Sequence, residues 1–257
     1  MEAFIQVMES TIAVKDPYTV VHQRQVTRIA CTIARELGLS EDRLHDLSIA
    51  GALHDLGKIA IPSSLLAKSG KLNPIEFSLL KTHPQVAYSI LKPIKLPGNA
   101  AEIILQHHER LDGSGYPQGL MGHAIFLEAR ILGVADVIEA MCSHRPYRAS
   151  LGLTETLEEL NRNKGVLYDP AVVEIGLQLF APGLAVTPAE TCGLPAAAVT
   201  HLHYSAFHPG AAPVQKESSL GEEYPWLKNW GGKTLPFHRR ELEETINKET
   251  LHELRIS

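Results

Sequence analysis

With 257 residues, 44% of them apolar, and a formal charge of −5, the chain is long enough to bury a full core. It lacks the basicity that would draw it to nucleic-acid polymers or anionic membranes, so any anionic substrate must meet local cations. Cys31, Cys142 and Cys192 are odd in number and widely spaced, which argues against a disulfide framework and for a reducing compartment, read here as the cytoplasm. No apolar run is long enough to span a membrane, and the opening MEAFIQVMESTIAVKDPY has acidic residues where a secretion signal would be basic.

Ile5, Met8 and Ile12 repeat at helical spacing and predict a short amphipathic helix over residues 3–14. Asp16-Pro17 reads as an N-cap with proline at the first helical position, and Gly38 as a stop, so a long helix should run from about Pro17 to Leu37. Val26, Ile29, Ile33 and Leu37 form its core face, and His22 lies one turn before Val26 on that stripe. Ser40, with Glu41 and Asp42 behind it, starts another helix that should end near Gly57.

That helix delivers Gly51-Ala-Leu-His-Asp-Leu-Gly-Lys-Ile-Ala-Ile-Pro62, which sets His54 beside Asp55 in an apolar setting and Lys58 one turn further on. Such groups are costly to bury unless something binds them. A mutually hydrogen-bonded His-Asp pair with a surface lysine would satisfy them. So would a metal site, with imidazole and carboxylate as ligands and an ammonium near an anionic substrate. The presence of further ligands elsewhere decides between the two.

Short helices are expected after Ser63 and Asn73-Pro74, and His83-Pro84 interrupts the helical run before a segment to Leu91. A helix beginning at Pro97-Gly98-Asn99 ends in His107-His108, which is either an exposed pair or two more ligands. The glycines and proline of Glu109 to Leu120 make a loop that should rim whatever those histidines bind. Phe126 to Met141 is helical again, with Asp136 buried in an apolar face where it needs a cation. Arg145 and Arg148 in the following turn are suited to forking onto phosphate oxygens, although a solvated basic turn is the simpler reading. Two more helices, one around Leu157 and Leu160 and one from Asp169-Pro170 to Phe180, complete an all-α domain over residues 1–182.

Residues 183–257 form a second region, rich in Ala, Pro and Gly, for which little regular structure is expected. Trp226 and Trp230 are candidate anchors to a surface, and residues 238–254 have the spacing of an amphipathic helix. His201 and His203 lack further clear ligands.

Taken together, His22, His54, Asp55, His83, His107, His108 and Asp136 exceed the needs of one ion and suit two, with Asp55 as the bridge. These residues, in the strings KDPYTVVHQ, LHDLGKIAIP, KTHPQVAYSIL, QHHERLDGSGYPQGL, ARILGVADVIEAM and RPYR, resemble the HD-GYP subgroup of HD-domain phosphohydrolases over roughly Lys15 to Phe180. The resemblance implies a helical bundle holding two divalent transition-metal ions, iron or manganese, that hydrolyses cyclic di-GMP to linear pGpG in bacterial signalling. It assigns His22, His54, Asp55 and Asp136 to one ion, and Asp55, His83, His107 and His108 to the other. Asp55 and Lys58 are then catalytic, and Lys58, Tyr116 of the Gly115-Tyr116-Pro117 motif, Arg145 and Arg148 contact substrate. A diguanylate cyclase or regulatory protein docking on that loop, and a homodimer, are the partners it suggests.

Three departures stand out. Some relatives carry a glutamate one turn before the first histidine and use it for a third metal, where this chain has Tyr18. Glu139 and His144 stand where the pattern has aspartate, and neither is a proposed ligand. The chain begins almost at the catalytic motif, so the sensor or receiver domain usual in the subgroup is not expected. Competing readings keep the metals but change the substrate to another cyclic dinucleotide or a mononucleotide, make the protein a di-iron oxygenase, or make it an effector without turnover.

Overall fold

The computed structural model describes residues 1–68, 70–143 and 150–180. Arg145, Arg148, His144, Cys192, the tail 183–257 with Trp226 and Trp230, and the helix expected over 238–254 lie outside the described residues. Ten α-helices account for most of the described chain: α1 (Glu2–Lys15), α2 (Pro17–Glu36), α3 (Glu41–Leu53), α4 (Ser63–Leu66), α5 (Pro74–Leu80), α6 (His83–Leu91), α7 (Ala100–Gln106), α8 (Leu127–Cys142), α9 (Leu153–Asn163) and α10 (Pro170–Leu179). Among the described residues there is no β-strand; two isolated bridges, Asp112 with Met121 and Lys164 with Tyr168, pin loops. No helix among them is long and apolar enough to cross a membrane.

Local chemistry accounts for the starts. Asp16 caps α2 by accepting the Tyr18 N–H at 3.0 Å, and Asn73 with Glu76 forms a complete capping box on α5. Asp169 caps α10 through the Ala171 N–H at 2.9 Å. The long α2 is the centre of the bundle and packs chiefly on α3 and α8. Val26, Ile29 and Ile33 on α2, Leu47 and Leu53 on α3, and Ile131, Val134 and Ile138 on α8 are all buried in one continuous core. Helix α1 lies against α2 through Ile12 and Ala13, and a buried ion pair from Arg24 to Glu9 at 3.0 Å ties the two together.

One boundary differs from the sequence-based expectation in a way that shapes the site. Helix α3 stops at Leu53 rather than near Gly57; Asp55 then takes φ −94° and ψ 4°, and a 3-10 turn follows over Leu56–Ala60. The reason is a close approach to α6: a Cβ on Gly57 would lie 1.9 Å from the His83 carbonyl oxygen. The turn swings Lys58 back onto Asp55, so the two meet as i, i+3 partners instead of His54 and Lys58 sharing a helical face.

Candidate metal centre

Five elements deliver the seven ligand candidates to one point. His22 comes from α2, His54 and Asp55 from the end of α3, His83 from the first turn of α6, His107 and His108 from the end of α7, and Asp136 from the middle of α8. Every one is buried, His54, His83 and His107 completely. Gly133 permits the last approach, because a Cβ there would lie 2.6 Å from the His107 carbonyl and push α8, with Asp136, away from α7.

Within this point three groups of donor atoms each lie within 4.8 Å of one another: His22 with His54 and Asp136, His83 with His107 and His108, and His54 with Asp55 and His107. The third, which contains Asp55, joins the other two. Oδ2 of Asp55 is 3.6 Å from His22 Nε2 and 3.7 Å from His54 Nε2, while its Oδ1 is 3.5 Å from His83 Nε2. His22 Nε2 lies 3.1 Å from Asp136 Oδ1.

The histidines present lone pairs inward. His54, His83 and His107 each place Nδ1 against a backbone carbonyl three residues earlier, on Gly51, Leu80 and Ile104, at 2.8, 2.8 and 2.6 Å. A carbonyl can only accept, so Nδ1 carries the hydrogen and Nε2 is left with its lone pair. Those three Nε2 atoms, and His108 Nδ1, are buried with no hydrogen-bond partner. Four orphaned imidazole nitrogens, two of them within 3.7 Å of the Asp55 carboxylate, fit a divalent cation and would otherwise each carry a desolvation cost.

Electrostatics agree with ligation. Burial lowers the pKa of His54, takes His83 down to about 4, and holds His107 and His108 well below the usual imidazole range, so these rings are neutral at physiological pH. Burial pushes the other way on Asp55, but Lys58 and the surrounding imidazoles outweigh it and keep the carboxyl well below the normal aspartate range. His22 and its neighbours do the same for Asp136.

Around the centre, Lys58 donates from Nζ to Asp55 Oδ2 at 2.8 Å, so the ammonium stands beside the oxygen that faces His22 and His54. Tyr116 is buried and stacks on His108, with ring centroids 4.7 Å apart and planes 25° from parallel. Its ring lines the centre on the His108 side. The Lys81 ammonium lies 5.9 Å from the centroid of that tyrosine ring. Neither arginine proposed for substrate, Arg145 or Arg148, is among the described residues.

Two functional carboxylates escape a reading of the sequence. Glu109 looks like a charge in a solvated loop, yet it is buried and accepts the backbone N–H groups of Gln118 and Leu120 at 2.7 and 2.9 Å, shaping the loop that carries Tyr116. Glu139 is buried against the far nitrogen of His22, bonding Nδ1 through Oε2 while Oε1 accepts the Ser143 hydroxyl at 2.6 Å. The available signal was spacing: Asp136 and Glu139 lie three apart on α8, on one face.

An all-α bundle with adjacent His and Asp at its buried centre defines a class, and the comparisons agree with it. The HD domain family matches residues 6–172, and the chain belongs to that family. It is 43% identical over 165 residues to the cyclic di-GMP phosphodiesterase response regulator RpfG of Xanthomonas campestris, covering 63% of this chain and 44% of that one. With a cyclic di-GMP phosphodiesterase of Thermotoga maritima it shares 40% over 177 residues, 68% of this chain and 48% of the other. A 3′3′-cGAMP-specific phosphodiesterase 1 of Vibrio cholerae is 34% identical over 189 residues, 71% and 44% of the two chains. The chain thus spans about half the length of these curated relatives. Among solved structures, Bd1817, a HDG"Y"P protein from Bdellovibrio bacteriovorus, shares the fold with a TM-score of 0.51 at 20% identity, over 60% of this chain and 49% of that one.

Proposed function

We propose that the protein is a metal-dependent phosphodiesterase that hydrolyses cyclic di-GMP to linear pGpG. The observation that carries this reading is the pair of three-residue donor sets with Asp55 between them, its Oδ2 toward His22 and His54 and its Oδ1 toward His83, and with orphaned buried imidazole nitrogens beside it. Relatives at 40–43% identity named as cyclic di-GMP phosphodiesterases support the substrate.

In this proposal His22, His54 and Asp136 hold one divalent ion, His83, His107 and His108 the other, and Asp55 both. Iron or manganese suits a set of imidazoles and carboxylates without thiolate. Such ions, when bound, polarise a phosphodiester and lower the pKa of an attacking water. The ion count is two, because Tyr18, one turn before His22 and 58% exposed, offers a phenol hydroxyl where a third ion would need a carboxylate. Lys58 holds Asp55 ionised and sets a positive charge beside the phosphate. Arg145 and Arg148 grip the remaining phosphate oxygens. Tyr116, braced by His108, closes the side of the site against bulk water. Hydrolysis joins the water oxygen to phosphorus, breaks the bond to the ribose 3′-oxygen, and leaves that oxygen as a hydroxyl and the phosphate on the 5′ side.

The test is manganese-loaded or iron-loaded protein incubated with cyclic di-GMP, with products separated by chromatography. Accumulation of pGpG, with GMP appearing slowly or not at all, is expected. An unchanged substrate would overturn the reading. The 34% identity to the cGAMP-specific relative favours one alternative, a mixed cyclic dinucleotide as the better substrate, which the same assay ranks by kcat/KM.

A further inference from the structure

Four imidazoles present orphaned nitrogens at the centre, and the three whose second nitrogen is engaged by the backbone use a neutral carbonyl for it. His22 is different. Its Nδ1 meets the carboxylate of Glu139, which is 3% exposed and receives a second donor from Ser143. Hydrogen donors on both oxygens are what an ionised carboxylate accepts, so Nδ1 donates to Glu139, and Nε2, 3.1 Å from Asp136 Oδ1, is the nitrogen that would turn to a cation held beside Asp136 and Asp55. A carboxylate behind an imidazole fixes the tautomer and raises the basicity of the opposite nitrogen more than a carbonyl does.

The two donor sets are therefore electrically unequal. Among the described residues, the set on the α2 side has Asp136 and, behind His22, Glu139; the set of His83, His107 and His108 has three neutral rings, with Asp55 Oδ1 3.5 Å from His83 as its carboxylate. Lys58 bonds Asp55 Oδ2, the oxygen on the α2 side, so Asp136 is the carboxylate that distinguishes that set from the other. In a buried, low-dielectric setting such a difference acts strongly on a divalent cation.

We propose that Glu139 is a positioning residue that holds His22 as the Nδ1–H tautomer and makes the His22, His54 and Asp136 set the tighter of two divalent-cation positions, filled first. The proposal rests on the reading of both sets as metal positions. Helix α8 serves this by carrying a ligand and its support three residues apart.

Calorimetric titration of metal-free protein with manganese tests it. The native chain should show two phases separated by at least about tenfold in affinity. Glu139→Gln, which keeps the volume and removes the charge, should weaken the tight phase by about ten- to a hundred-fold and leave the weak phase in place. Glu139→Asp, which restores a carboxylate, should recover most of that loss, and circular dichroism of each variant should match the native protein. A single phase in the native chain, or an unaltered tight phase in Glu139→Gln, would overturn the proposal. His22→Ala separates the two levels of inference: if it removes the tight phase while Glu139→Gln does not, only the role of Glu139 fails. If His22→Ala leaves both phases intact, the metal assignment itself fails.

Discussion

Asp55 is the residue on which the whole centre turns, because its two oxygens face different donor sets and a third partner, Lys58, neutralises it. On the two-ion proposal, replacing it with alanine would remove a ligand from both positions and leave imidazoles facing uncompensated cations. Asp55→Ala should abolish hydrolysis and lower bound manganese to well under one ion per chain by elemental analysis; full retention of metal would refute the bridge. Glu109 acts at one remove. Its loss in Glu109→Ala would strand the N–H groups of Gln118 and Leu120, each worth about 1–3 kcal/mol if left unsatisfied, and loosen the loop that seats Tyr116 on His108. We expect a several-fold rise in KM with metal content unchanged, and an unaltered KM would separate this loop from substrate binding. The seven ligand candidates were legible only as a set, since each is a titratable group on or at the end of an apolar helix and each alone also fits a satisfied core or surface residue. Glu109 and Glu139 were not, because their roles depend on partners 9 and 117 residues distant that no local pattern announces.

Elements position these residues by closeness more than by length. The helix starts were readable, since Asp16, Asn73 and Asp169 carry the capping side chains and a proline follows each. The end of α3 was not, because the helical pattern continues to Gly57 and the reason for stopping is tertiary: the 3-10 turn must pass under α6. Gly57 is the residue that allows it. Gly57→Ala would put a methyl carbon 1.9 Å from the His83 carbonyl and 2.8 Å from the Ala87 nitrogen, both rigid backbone. Relief requires α6 to shift and take His83 out of register with Asp55. The substitution should cost about 3 kcal/mol in urea denaturation and weaken metal binding at the His83 set. A variant as stable as the native chain would show that the turn has room this packing denies it.

At the scale of the molecule, the centre is a store of buried neutral imidazoles and ionised carboxylates, and both make the metal-free fold sensitive to acid. Burial lowers His83 from 6.5 to about 4, with the other buried rings displaced in the same direction. Between those two values the unfolded chain binds a proton that the folded chain refuses, so stability rises with pH across this window and is lost as pH falls through it. For His83 alone the loss approaches about 3 kcal/mol by pH 4, a large part of a typical domain's total. Asp55 and Asp136, held ionised well below their usual range, add to the loss at lower pH because they too must be protonated only on unfolding. The metal-free protein should therefore show a midpoint in urea that is constant above pH 7 and drops steeply between pH 6.5 and pH 4. Bound manganese should raise the midpoint at pH 7 by mass action and lose that advantage in acid, as protons compete for the same nitrogens. A midpoint independent of pH from 7 to 4.5 in the metal-free chain would mean that the rings open to water before they titrate, and that the centre is not the dry cavity the packing describes.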